Sequence, residues 1–106
     1  MVKKIKTLIN RIKTHLTKVY GVGIKSVILY GSCSRDEQTK DSDIDVLVVV
    51  DQSLNPFEVR ESLSDLLFDI LLEERELVSV IVVPEHLYDN YGSPFILNVK
   101  KEGLAV

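Results

Sequence analysis

The sequence predicts a small α/β domain (α+β in its layering), a mixed sheet of three to four strands with helices packed on it. Three observations carry that expectation. Three short apolar runs, Ser26 to Tyr30, Ile44 to Val50 and Leu77 to Val83, read as buried strands. Around them, apolar residues recur at helical spacing. The resulting order is helix, strand, strand, helix, strand, helix, which suits a sheet layered with helices.

Taken in order, Val2, Ile5, Ile9, Ile12, Leu16 and Val19 alternate spacings of three and four, so the first helix carries one apolar stripe ended by Gly21 and Gly23. The first strand, Ser26 to Tyr30, stops at Gly31. Residues 32–42 are polar and irregular, and Ile44 to Val50 follows as the second strand. Asn55-Pro56 with Glu58 is a helix start: an N-cap, proline at the first helical position and an acid in the first turn. Leu63, Leu66, Leu67, Ile70 and Leu71 continue that helix to about Arg75. The third strand ends at Pro84. A short helix or turn covers Glu85 to Tyr91, Ser93-Pro94 opens a last helix that Gly103 ends, and Leu104 to Val106 can add a terminal strand. Strands two and three, joined through a helix, should be parallel with a right-handed crossover, whereas the short link between strands one and two suits an antiparallel pair.

A chain of 106 residues, 45% hydrophobic and 27% charged, is one globular domain spanning residues 1–106. No apolar run approaches the ~20 residues of a membrane span, and the N-terminus lacks the pattern of a signal peptide. The single cysteine, Cys33, excludes an intramolecular disulfide and fits the cytoplasm. Net charge is only −3, but the charges are segregated. Met1 to Arg35 holds eight basic residues and no acid, and all sixteen acids follow. That is either a solvated helix face or a positive rim near a polyanion or acidic partner.

The chemistry concentrates in Tyr30-Gly31-Ser32-Cys33-Ser34-Arg35 and in Asp41-Ser42-Asp43-Ile44-Asp45-Val46. Gly31 and Ser32 sit where a buried strand becomes a turn, so the backbone can approach a ligand and free N–H groups can face an anion. A short helix opening at Ser32 would add a helix N-terminus, a hydroxyl and the Arg35 guanidinium to a phosphate site. Asp43 and Asp45 are two apart on a strand, so both carboxylates leave one face with Cα atoms ~6.6 Å apart. They can converge on one Mg²⁺ or straddle two ions. Alone, Gly-Ser is an ordinary loop and Asp-Ser-Asp an ordinary turn. The joint pattern should arise by chance in on the order of one in a thousand chains of this length. It is therefore the functional signal here.

Gly31-Ser32-x10-Asp43-x-Asp45 resembles the signature of the DNA polymerase beta-like nucleotidyltransferase superfamily, and the whole chain resembles its minimal branch, the MNT proteins. Ser93-Pro94-Phe95, Asn98-Val99 and Glu102-Gly103 are similar to that branch as well. The resemblance implies the polymerase beta palm-like fold, a triphosphate held by Gly31 and Ser32, to which the Arg35 guanidinium of the loop reading can add, and catalytic Mg²⁺ (or Mn²⁺) held by Asp43 and Asp45. It implies transfer of a nucleoside monophosphate, AMP from ATP or the equivalent from another nucleoside triphosphate, to a hydroxyl. It further implies a HEPN-domain protein as acceptor and partner in a toxin–antitoxin pair. A homo-oligomer is compatible with it, and nucleic acid is not required.

The family's third carboxylate, on the strand after the second helix, has no obvious counterpart. That strand reads Leu77-Val78-Ser79-Val80-Ile81-Val82-Val83, with Ser79 its only polar residue. Either Glu73, Glu74 or Glu76 is displaced into the site, or the chain is a catalytically impaired module that binds nucleotide or neutralises a partner. Cys33 reads as a small loop residue, since His15 and His86 are remote from it in sequence. Tyr88, Tyr91 and Phe95 can either stack on a base or pack the C-terminal segment.

Overall fold

The computed structural model describes residues 3–31, 43–90 and 92–106, and the elements follow the expected order. Helix α1, Lys3–Tyr20, buries Ile5, Leu8, Ile9, Ile12 and Leu16. Its buried face is wider than the stripe read from spacing, because a helix on a sheet covers an arc of ~100° or more and so takes in Leu8. Val19 stays 54% exposed, and Tyr20 packs on the core instead. At Gly21 the backbone turns to φ +58, a conformation that costs glycine nothing. The 3₁₀ turn Gly21–Gly23 then feeds strand β1, Ile24–Tyr30.

Strands β2 (Ile44–Val50), β3 (Val78–Pro84) and β4 (Leu104–Ala105) complete a four-stranded sheet in the order β3-β2-β1-β4. As the connections require, β1 pairs antiparallel with β2, and β2 pairs parallel with β3. The short β4 joins the free side of β1, placing Leu104 opposite Leu29 and Ala105 opposite Ile28. Alternation along the strands sorts the side chains to two faces. Val27, Leu29, Ile44, Val46, Val48, Val50, Val78 and Val80 join the main core with α1. On the other face Ile28, Leu47 and Val49 pack with Val99, Tyr30, Val83 and Tyr88.

The expected single helix from Pro56 to Arg75 is two. Helix α2 covers Pro56–Ser62 and α3 covers Ser64–Glu74. Asn55 caps α2 as foreseen, its Oδ1 accepting from the Phe57 N–H at 2.9 Å. The break is made by Ser62, whose hydroxyl donates to the Val59 carbonyl at 2.7 Å. That occupies the carbonyl that the Leu63 N–H would have taken, and Leu63 bonds Arg60 instead at 3.1 Å, a tightened turn. The bend lets Val59, Leu63, Leu67 and Ile70 all reach the main core.

Helices α4 (Glu85–Asn90) and α5 (Pro94–Glu102) cover part of the second face. Ser93 caps α5, accepting from the Ile96 N–H at 3.2 Å. Gly103 ends it where there is no room for a side chain: a Cβ there would lie 2.5 Å from both Ile28 Cγ2 and the Val99 carbonyl oxygen. Gly103→Ala should therefore force α5 and β4 off β1 and cost about 1–3 kcal/mol. Thermal unfolding followed by circular dichroism measures it, and an unchanged melting temperature would show that the junction yields freely.

Candidate active site

Asp45 is the one residue of β2 that is not fully buried. Strand pairing places it in a row across the second face, with Tyr30 of β1 on one side and Ser79 of β3 on the other. Registered neighbours in a sheet share a face, so all three side chains leave the sheet together. Asp43 just precedes β2 and is exposed. By alternation it belongs to the same face. The row lies where β1 ends and β2 and β3 begin, beside the turn at Gly31.

Gly31 has φ +75, and a Cβ on it would come within 2.6 Å of Asp45 Oδ2. Both the backbone conformation and the close approach require glycine. The carboxylate of Asp45 thus lies close against Gly31, which brings two residues of the sequence motif together in space. Burial raises the Asp45 carboxyl above its ordinary value, and the negative charge of Asp43 raises it further. Burial, then Asp45, raises the Tyr30 hydroxyl, which stays protonated at neutral pH.

The donor set fits a divalent cation. Two carboxylates that repel across one strand face are relieved by a hard cation, and Mg²⁺ is commonly held by one or two carboxylates together with substrate phosphates. Among the described residues no group of three or more His, Cys, Asp or Glu side chains could hold a metal. The third acid is not where displacement would have put it. Glu76 lies 3.3 Å from Lys4 Nζ and Glu74 3.8 Å from it, while Glu73 lies 3.3 Å from Arg11 Nη1. All three acids are thus tied to α1, on the sheet's opposite side from Asp45. The exposed Ser79 is the registered neighbour of Asp45 on β3.

Ser32, Cys33 and Arg35 lie outside the described residues, as does Tyr91. His15 is half-buried in a groove between α1 and α3, its Nε2 without a hydrogen-bond partner among the described residues. His86 is exposed on α4. Tyr88 packs on the second core and lies under Lys100, whose Nζ is 4.9 Å from the ring centroid. Phe95 meets Tyr30 edge to face, with ring centroids 5.4 Å apart. Tyr30 was missed as a member of the site. Its signal was positional: it ends β1 on the parity of Ile28, and an antiparallel partner must bring it opposite the start of β2.

The chain is similar to known proteins over most of its length. Residues 5–102 match the nucleotidyltransferase domain family. A Methanocaldococcus jannaschii protein assigned as a protein adenylyltransferase is 33% identical over 102 residues, covering 95% of this chain and 92% of its own. A second such protein of that organism is 41% identical over 69 residues, 62% of this chain and 68% of its own. Among solved structures, one from Sulfolobus solfataricus, assigned as a nucleotidyltransferase, superposes with TM-score 0.65 at 21% identity, over 96% of this chain and 78% of its own. A toxin–antitoxin structure containing AMP-PNP superposes with TM-score 0.59 at 17% identity, over 90% and 69%. At those identities the superpositions speak for the fold.

The raised Asp45 carboxyl sets a testable pH dependence. A folded acid that holds its proton more tightly than the unfolded chain loses stability on ionising. That cost is absent below the ordinary carboxylate value of about 3.9, grows as pH rises towards the raised folded value, and is complete above it. Asp45→Asn should therefore raise the melting temperature of the metal-free protein at pH 7, with the advantage shrinking as pH falls towards about 3.9 and gone below it. Scanning calorimetry in EDTA at several pH values checks the sign.

Proposed function

Because the chain belongs to the nucleotidyltransferase domain family, we propose that it transfers AMP from ATP to a hydroxyl on a partner protein. The observation that carries this is the Asp45 carboxylate resting against Gly31, with Asp43 beside it on the same face. Gly31, with Ser32 and Arg35, would hold the triphosphate, and Asp43 and Asp45 would hold a divalent cation beside it. Bound Mg²⁺ or Mn²⁺ supplies neutralisation of the phosphate charge and activation of the acceptor oxygen. The acceptor oxygen forms its bond to the α-phosphorus as the bond to the β-phosphate oxygen breaks, pyrophosphate leaves, and the hydroxyl proton passes to solvent.

The partner we infer is a HEPN-domain toxin, for which this chain is the antitoxin in the cytoplasm. Support comes from the likeness in fold to toxin–antitoxin structures and from the adenylyltransferase assignment of the relatives. A second reading is favoured by one observation, the position of Ser79 next to Asp45. If Ser79 holds the place of the third carboxylate, its hydroxyl neither ligates a cation with full charge nor serves as a base at neutral pH. Such a protein binds nucleotide and turns over slowly, or neutralises its partner by contact.

Calorimetry with ATP should show binding that requires Mg²⁺ or Mn²⁺ and is lost in the Asp43→Ala, Asp45→Ala double variant. Equal affinity in EDTA would remove the main support for the proposal. A transfer assay with radiolabelled ATP and the partner then separates catalysis from contact. Ser79→Asp should tighten cation binding and raise the transfer rate by about a hundredfold, the lower end of the ~10²–10⁴-fold range for a positioned base. A rate that stays flat while the Ser79→Asp variant binds metal more tightly would mean that the wild-type site is already complete.

A further inference from the structure

Next to the site is a cavity of about 230 Å³ lined by Tyr30, Gly31, Phe95, Asn98, Val99 and Glu102. It shares Gly31 with the aspartate pair, so a ligand whose phosphates lie at the Gly31 turn has this cavity within reach. Its size is below the ~300–1,000 Å³ of pockets that enclose a whole drug-sized ligand, and suits one planar ring system. The lining is mostly apolar. Phe95, at 38% exposure, stands edge to face against Tyr30, and Val99 closes the floor from the second core. Against that apolar surround stand the carboxamide of Asn98 and the carboxylate of Glu102, one turn apart on α5. A few polar groups in an apolar pocket fix the orientation and identity of a ligand.

We propose that this cavity is the nucleobase subsite and that Asn98 selects adenine. A carboxamide offers one acceptor and two donors in a fixed plane. It matches the edge of adenine that presents the N6 amino group beside the N7 acceptor. The corresponding edge of guanine presents two acceptors, O6 and N7, and leaves the carboxamide oxygen facing an acceptor. The proposal rests on the nucleotidyltransferase reading of the neighbouring site. It adds which group of the nucleotide α5 contacts and which side chain sets the preference for adenine.

The test is the ratio of ATP to GTP affinity, measured by calorimetry with Mg²⁺ on the wild type, Asn98→Ala and Asn98→Lys. Asn98 is exposed, so both variants should fold, and their melting curves verify it. Inorganic tripolyphosphate serves as a probe of the phosphate site alone. The wild type should favour ATP about tenfold. Asn98→Ala should abolish the preference while leaving tripolyphosphate affinity unchanged, and Asn98→Lys should shift it towards GTP, since lysine donates to the guanine acceptors. Tripolyphosphate binding without any ATP preference in the wild type, or a preference that survives Asn98→Ala, overturns the subsite and leaves the catalytic reading standing. If neither tripolyphosphate nor any nucleoside triphosphate binds, the catalytic reading fails and the subsite goes with it.

Discussion

The contact between the Asp45 carboxylate and the backbone of Gly31 is the constraint on which the site depends. Six of the seven residues of β2 are buried, and the strand is gripped on both sides by β1 and β3. A carboxylate in such a strand is held in position by the sheet itself, with no loop to relax it. Its place in the sheet also strips away part of its water, the larger cause that raises its carboxyl, with the charge of Asp43 second. The glycine opposite removes the one atom that would have pushed the carboxylate away. The sheet's register thus converts a strand-building sequence into an anionic site with little freedom to avoid its own repulsion.

Most of this was legible in the sequence for identifiable reasons. Strand β2 is a seven-residue apolar run broken only by Asp45, so period-two alternation fixed which side chains share its face. The cap at Asn55-Pro56 and the stop at Pro84 are local chemistry and were read correctly. The break at Leu63 was not legible. It hinges on a serine hydroxyl competing for a backbone carbonyl, while the leucine spacing on either side runs on as if one helix continued. The neighbour relation of Asp45 and Ser79 needed the parallel register of β2 and β3, which no local pattern encodes. The cavity beside Gly31 is likewise long-range, assembled from the end of β1 and one face of a helix more than sixty residues on.

The charge segregation resolves in part into tertiary contacts. Lys4 reaches Glu74 and Glu76, and Arg11 reaches Glu73, so part of the basic first helix is matched by the acids that end α3 and precede β3. Lys13 instead donates to the Val106 carbonyl at 2.7 Å, next to the short strand β4. These pairs are partly exposed and contribute little individually. Their effect is on placement: they keep the acids that flank β3 on the α1 side, away from the face that carries the aspartate pair.

The glycine at position 31 also fixes an order in which this chain can change. While Asp45 keeps its carboxylate, any side chain at 31 collides with it, so the glycine must be retained first and longest. Once Asp45 is replaced by a smaller residue, the steric bar lifts and only the positive φ remains, a conformation that asparagine and aspartate enter more readily than other side chains. Drift at the two positions is therefore one-directional. A descendant that abandons the carboxylate can then lose the glycine, and a back mutation at 45 would find its space already filled. Loss of the anionic site in this lineage would act as a ratchet, with the backbone of one turn as its pawl.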